Sequence, residues 1–99
     1  MKNYNNASIE RLFRTVTALR SEEECRAFFE DLCTVKEITD MAQRFETAIL
    51  LEEGCSYLKI AEKVNISSAT ISRVRRALSY GSGGYKTAIE KMKQNGELK

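Results

Sequence analysis

The feature that most constrains how this chain can fold is its lack of proline, combined with apolar residues that recur three and four positions apart. Apolar residues at this spacing form a stripe along one side of an α-helix, whereas a half-buried strand requires alternation. The chain has 99 residues, of which 42% are hydrophobic and 30% charged, and this suits one unit with a buried core. The sequence therefore predicts an all-α fold in a single helical domain over residues 1–99.

Capping residues set the boundaries of the first two predicted helices. Ser8 is expected to open the first helix, which runs to about Arg20 and turns inward Ile9, Leu12, Phe13, Val16 and Leu19. Ser21 followed by Glu24 is a capping box. It opens a second helix to about residue 33, whose inward residues are Cys25, Phe28, Phe29 and Leu32.

A third and longest helix is predicted between a second capping pair, Thr34 with Glu37, and a stop at Gly54. Its expected buried residues are Ile38, Met41, Ala42, Phe45, Ala48, Ile49 and Leu51. At 1.5 Å per residue this helix is roughly 30 Å long, enough to form the backbone of a two-chain interface. Residues 8–53 are therefore predicted to be the dimerisation helices of a homodimer. A C-terminal helix is predicted over residues 85–95, after a glycine-rich turn.

The residue types present argue against a metal site and against catalysis. The chain has no histidine, so it lacks the commonest general base and a common zinc ligand. The three cysteines are widely spaced, and we interpret them as reduced, mostly buried small hydrophobes. We expect neither a metal ion nor enzyme activity.

The hydrophobic stretches are interrupted by charge every few residues, so none reaches the roughly 18 apolar residues that a membrane span needs. Residues 1–6 have no apolar segment that could act as a signal peptide. The sequence therefore predicts a cytoplasmic protein that does not contact a membrane.

The formal net charge of +2 hides an asymmetry between the two halves of the chain. Residues 1–53 carry 7 Lys and Arg against 11 Asp and Glu, a net charge of −4, and residues 54–99 carry 9 against 3, a net charge of +6. A random imbalance of solvated surface charge is one explanation. The other is that the second half meets a polyanion.

Residues 56–79 have the pattern of a helix-turn-helix. Ser56 and Ser67 are placed as the two N-caps, and Asn65 lies at the turn, where a left-handed backbone is often required. The residues that the two helices and the turn must bury are Ile60, Val64, Ile66, Ile71 and Val74. Ala61 lies where the two helices cross and only a small side chain fits.

The second helix of this pair is predicted to read the major groove of DNA. Its first turns carry small side chains that can approach base edges, namely Ser67, Ser68, Ala69, Thr70 and Ser72. Phosphate contacts are expected from Lys59, Lys63, Arg73, Arg75 and Arg76. Arg75 and Arg76 are expected to be equivalent, each contributing affinity for any DNA sequence.

Three parts of this pattern resemble the tryptophan repressor family, in particular its YerC/YecD-type repressor-like members: residues 69–73, the Thr34 and Glu37 cap, and residues 41–44. The resemblance covers Thr34 to about Ser79. It implies a six-helix chain that forms an intertwined homodimer, with two recognition helices on adjacent half-sites of double-stranded DNA. The function implied is that of a transcription regulator, and we expect a repressor.

The resemblance also implies an effector pocket, because Thr34, Arg44 and Arg73 match residues that surround tryptophan in the family. Val74, however, stands where the family has a glycine that leaves room for the ligand. Ala77 stands where the family has a serine that holds the ligand's amino group. Tryptophan binding is therefore not expected, and a different small effector, or none, is left open.

One alternative function stays open at this stage. The apolar faces of helices 8–20 and 22–33 could engage another protein, in which case the basic hairpin would be incidental. Salt dependence distinguishes the two, because DNA binding that neutralises several phosphates weakens steeply with salt and an apolar interface barely responds.

Overall fold

The computed structural model describes residues 6–99. Residues 1–5 lie outside this range, and they belong to the segment 1–6 that is not expected to act as a signal peptide. The described chain forms six α-helices and no strand, which confirms the predicted all-α fold. They are α1 (Ala7–Ala18), α2 (Glu22–Leu32), α3 (Val35–Glu52), α4 (Tyr57–Val64), α5 (Ser68–Tyr80) and α6 (Gly84–Gln94). None of the helices in the described range is long and apolar enough to span a bilayer.

The helices belong to two compact units, one up to Thr39 and one from Asp40 to Lys99. Because α3 begins in the first unit and ends in the second, its two halves have different surroundings. That the whole chain folds as one domain stays a prediction.

In the first unit, local capping bonds begin each helix. α1 begins two residues before the position that the sequence suggested, because Asn6 rather than Ser8 is its N-cap. The Asn6 side chain accepts a hydrogen bond from the backbone N–H of Ser8 at 2.8 Å. The predicted capping box of α2 is confirmed, since the Ser21 hydroxyl accepts from the N–H of Glu24 at 3.1 Å. The Glu24 carboxylate accepts from the N–H of Arg20, one residue before the N-cap, at 2.8 Å.

The apolar faces predicted for α1 and α2 exist, but the chain covers them only in part, because most of their predicted inward residues are half-buried. Neither helix has a buried residue. Phe13 is 48% exposed and Leu32 is 50% exposed, so the prediction that these two side chains point into a core is wrong for the single chain. Helical periodicity identifies an apolar face correctly, but it does not say which chain covers that face.

The start of α3 is held by the predicted Thr34 and Glu37 pair. The hydroxyl of Thr34 accepts from the N–H of Glu37 at 3.1 Å, and the carboxylate of Glu37 accepts from the N–H of Thr34 at 2.8 Å. Hydrogen bonds that the backbone N–H and the side chain of Thr34 donate to the carboxylate stabilise its ionised form and lower the pKa of Glu37 below its usual value. α3 therefore begins at a reciprocal cap.

The core of the second unit surrounds the C-terminal half of α3. Five consecutive residues, 47–51, are buried, so neighbouring helices cover every side of α3 there. The other fully buried apolar residues of the core are Ile60, Ile71, Val74, Leu78 and Ile89. Met41 and Ala42 are exposed, contrary to prediction, whereas Thr47 and Leu50 are buried without having been predicted so. A one-sided helical pattern cannot describe a segment that is enclosed on all sides.

The ends of the helices in this unit place α4, α5 and α6 around α3. Gly54 ends α3 with a φ of +86°, and its N–H donates to the Leu51 carbonyl at 3.0 Å. Gly81 ends α5, where any Cβ would collide with the backbone of Ala77. α6 then packs on α5, and Tyr85 stacks on Phe45 of α3 with ring centroids 6.4 Å apart.

Replacing Ile71 by alanine should lower the free energy of unfolding by about 2–5 kcal/mol, because Ile71 is fully buried in this core and the substitution leaves a cavity. Chemical denaturation followed by circular dichroism measures the change. The control is Leu58→Ala in α4, where the side chain is 72% exposed, and this variant should stay within about 0.5 kcal/mol of the wild type. Equal effects of the two substitutions would contradict the assignment of the core.

Candidate nucleic-acid interface

The two helices of the predicted helix-turn-helix begin at the expected caps. The hydroxyl of Ser56 accepts from the N–H of Lys59 at 3.2 Å, and the hydroxyl of Ser67 accepts from the N–H of Thr70 at 3.2 Å. Both serines have extended backbone angles, as N-caps require. α4 and α5 are therefore separated by three residues only, Asn65 to Ser67.

Asn65 makes the turn between the helices. Its φ of 61° and ψ of 53° are left-handed, and within the described chain it is the only residue other than glycine with a positive φ. Asparagine tolerates this conformation better than most residues, as the sequence suggested. The turn therefore ends α4 sharply and lets α5 cross it.

Buried side chains fix the crossing of α4 and α5. Ile60 of α4 is fully buried, as is Ile71 of α5, and Val74 is 2% exposed. Ala61, Val64 and Ile66 are partly buried and pack against the same cluster. The residues predicted to hold the helix pair together are thus the ones that do so.

The opposite side of α5 is a continuous exposed face of small and basic residues, which we call the exposed face of α5: Ser68, Ala69, Ser72, Arg73 and Arg76. The buried residues Ile71, Val74 and Leu78 recur at intervals of three and four. At 100° per residue, Ala69 and Arg76 lie about 170° from the centre of that buried side. Burial of one side therefore presents the other side to solvent.

Ser67 and Thr70 differ from the rest of the predicted base-reading set. Their hydroxyl oxygens lie 3.1 Å apart and share one hydrogen bond, in addition to the capping bond of Ser67. Thr70 is also half-buried. The structure thus gives both hydroxyls a role in beginning α5, and their contact with bases stays a prediction.

The three arginines of α5, predicted to act alike, have different surroundings. Arg73 and Arg76 are exposed, but Arg75 is half-buried. The Nη2 of Arg75 donates to the backbone carbonyl of Leu51, at the end of α3, across 3.5 Å. Sequence reasoning missed this contact, although Arg75 follows Ile71 by four residues and so flanks the buried side.

A second long-range hydrogen bond joins α3 to the helix pair. The Nε2 of Gln43 donates to the carbonyl of Val64, the last residue of α4, at 3.4 Å. The sequence assigns Gln43 no role beyond its place in residues 41–44. No local sequence signal could have identified its partner, which is 21 residues away.

The remaining predicted phosphate contacts lie on α4. Lys59 and Lys63 are both exposed and four residues apart, so they share one side of the helix. Lys63 is in the last turn of α4, where a cation also interacts favourably with the helix dipole.

The predicted effector residues are divided between the two units. Arg44 and Arg73 belong to the unit that begins at Asp40 and are exposed, and Thr34 belongs to the other unit, where Glu37 engages its hydroxyl and its N–H. In residues 6–99 no cluster of three potential metal ligands occurs. An effector pocket stays a prediction.

Comparison with known proteins places this geometry in a family. The family model described as Trp repressor protein matches residues 7–93. The uncharacterized protein YerC of Bacillus subtilis (strain 168) is 45% identical over 86 residues, which cover 87% of this chain and 83% of YerC. The chain belongs to the Trp repressor family.

Solved structures agree with this assignment. A TrpR-like protein from Eubacterium eligens ATCC 27750 superposes with a TM-score of 0.85 at 44% identity, covering 95% of this chain and 94% of that one. A candidate Trp repressor from Staphylococcus aureus gives a TM-score of 0.86 at 38% identity, covering 90% of this chain and 89% of that one. The six-helix architecture is therefore the one that these relatives share.

Titration calorimetry with L-tryptophan should show no binding in the micromolar range. Val74 is buried in the core at a position where the resemblance to the family implies a glycine, and the methyl group of Ala77 offers no hydrogen bond. The matched variant is Val74→Gly with Ala77→Ser, titrated in the same way after its fold is checked. Tight tryptophan binding by the wild type would restore the family's ligand to this protein.

Proposed function

We propose that this protein is a sequence-specific regulator of transcription, acting as a repressor, that binds the major groove of double-stranded DNA as a homodimer in the cytoplasm. Membership of the Trp repressor family supports a DNA-binding regulator rather than an enzyme. The observation that carries the proposal is the composition of the exposed face of α5, which combines small polar side chains with two arginines.

This face suits DNA for physical reasons. Small side chains at the start of a helix let the backbone approach base edges, where hydroxyl groups hydrogen-bond to bases and methyl groups contact thymine. Arg73 and Arg76 lie on the same side, where a guanidinium can bind phosphate oxygens. A helix face that only needed to be soluble would not require small polar side chains together with arginines.

The charge of the surrounding chain favours the same ligand. Of the 16 Lys and Arg residues, nine lie in residues 54–99, against three Asp and Glu. A net positive half attracts a polyanion over distances of about a Debye length, roughly 8 Å at physiological salt. The exposed lysines of α4 add to this attraction.

The incompletely covered apolar faces of the first unit support the homodimer. α1, α2 and residues 35–39 contain no buried residue, although their apolar residues follow helical periodicity. A shallow hollow in this unit is lined by Glu22, Cys25, Arg26, Phe29, Glu30 and Ile38. Exposed apolar side chains such as Leu32 beside this hollow favour an interface, and in a two-fold dimer the second copy presents the same surface.

Arg76→Ala and Ala69→Leu should separate affinity from specificity. Arg76→Ala should weaken binding to operator and random duplexes by similar factors. It should also reduce the slope of log K against log[salt] by about one unit, the value for one lost phosphate contact. Ala69→Leu should weaken the free energy of binding to the operator by about 1–3 kcal/mol per disturbed base pair and leave binding to random DNA unchanged. A genome-wide footprint supplies the operator, and each variant is titrated at two salt concentrations.

Two outcomes would contradict the DNA-binding proposal. The first is that both variants give the same pattern on operator and random DNA. The second is that neither changes DNA binding while circular dichroism shows an intact fold. In either case, the protein-interaction alternative, in which α1 and α2 engage another protein, becomes the better account.

Sedimentation at micromolar concentration should find a homodimer and no folded monomer. Leu32→Glu should shift the equilibrium toward monomer, because it places a charge on an apolar face that a second copy is proposed to cover. The matched control is Leu58→Glu on α4, also exposed, which should remain dimeric. A stable wild-type monomer would contradict the dimer, and with it the expectation of a palindromic operator with half-sites one helical turn apart.

A further inference from the structure

Two side chains outside the exposed face of α5 connect the helix-turn-helix to α3, one at the end of α4 just before the turn and one in the second half of α5. Arg75 of α5 donates to the carbonyl of Leu51, and Gln43 of α3 donates to the carbonyl of Val64 at the end of α4. Every residue in these two bonds belongs to the unit from Asp40 to Lys99. The helix pair is thus attached to α3 at two separate points.

We infer that Arg75 and Gln43 are positioning residues that hold α5 in the orientation needed to discriminate between DNA sequences, and that Arg75 is not a phosphate contact. This inference rests on the proposed DNA-binding function. It assigns different roles to Arg75 and Arg76, which the sequence makes equivalent.

The position of Arg75 on its helix supports this role. At 100° per residue, Arg75 lies about 70° from the centre of the buried side of α5, whereas Arg76 lies about 170° from it and Arg73 about 130°. Arg75 is accordingly the one half-buried arginine of the three. Arg75 therefore lies closer to the core than Arg73 and Arg76 do, and its guanidinium is directed to the Leu51 carbonyl.

The acceptors have the chemistry that such bonds require. Leu51 and Val64 lie in the last turns of α3 and α4, at the negative end of each helix dipole. The Leu51 carbonyl already accepts from the N–H of Gly54 at 3.0 Å, and its second lone pair is available to Arg75. The N···O separations are 3.5 Å for Arg75 and 3.4 Å for Gln43, so both bonds are longer than the usual range of about 2.7–3.2 Å. The positive guanidinium also gains from its position at the negative end of the α3 dipole. Gln43 makes the neutral counterpart at the end of α4, beside the turn.

Fixed orientation matters more for specific than for non-specific binding. Base contacts require several side chains to be in register with base edges, whereas phosphate contacts tolerate rotation of the helix because the backbone charge is continuous. Loosening either bond should therefore reduce operator affinity and leave the affinity for random DNA nearly unchanged.

The test compares Arg75→Met, Gln43→Met and the matched control Arg76→Met in the full-length protein. Methionine keeps an unbranched stem and removes the donor. Arg75→Met and Gln43→Met should each weaken binding to the footprint-derived operator by about tenfold, with less than about a twofold change on random duplexes and an unchanged salt slope. Arg76→Met should weaken binding to both duplexes by similar factors and lower the salt slope of log K by about one unit.

Amide hydrogen exchange of the free protein tests the attachment without DNA. Exchange in α5 should be about tenfold faster in Arg75→Met and Gln43→Met than in the wild type, and unchanged in Arg76→Met. Titrations are done far below each variant's Tm, so a role in stability alone would leave the ratio of operator to random affinity unaltered.

The inference is overturned if Arg75→Met behaves like Arg76→Met in the titrations, because Arg75 is then a phosphate contact. It is also overturned if exchange in α5 is the same in the wild type and in both variants. Failure of the wild type to bind DNA in a salt-dependent way would instead reject the proposed function, and the exchange experiment would still decide whether Arg75 and Gln43 hold α5.

Discussion

The structure of the second unit depends on burying a short, fully enclosed segment of α3. Residues 47–51 are covered on every side, and they include a threonine that is completely buried. The hydroxyl of Thr47 donates to the Gln43 carbonyl one turn earlier at 2.8 Å, so a polar group enters the core without losing its hydrogen bond. α4, α5 and α6 can pack on this segment because it offers apolar surface in all directions.

The packing on α3 also determines what α5 can present to solvent. Because Ile71, Val74 and Leu78 must face the core, helical geometry turns Ala69, Ser72 and Arg76 to the opposite side. The composition of that side is then free to vary without affecting the core. The 13 residues of α5 thus stabilise the core with one side and present the proposed DNA-binding residues on the other. A change on the exposed side has little effect on the packing of the buried side.

The parts of this structure that the sequence predicts are those decided by neighbouring residues. The caps at Ser21, Thr34 and Ser67 depend on residues three positions away, and the left-handed turn at Asn65 depends on one residue's own conformational preference. Even here a competing local group can displace the expected one, as the Asn6 side chain does at the start of α1.

Burial is predicted less well because it depends on distant parts of the structure. Met41 and Phe13 follow the same periodicity as buried residues, yet they are exposed in the single chain. Leu50 breaks the one-sided pattern and is buried. The difference lies in which surfaces surround each half of α3, and no spacing within the helix contains that information.

The arginines of α5 show why residue type does not settle function. A guanidinium suits a phosphate because it is positive and carries several donors, and the same properties suit the negative C-terminal end of a helix. Composition therefore makes Arg75 and Arg76 interchangeable, although they are adjacent in sequence. Their positions around the helix separate them: Arg76 points away from the core, and Arg75 flanks Ile71 and reaches the Leu51 carbonyl. A count of basic residues measures the attraction of this surface for DNA, but only the side chain's surroundings show which arginines are available to bind it.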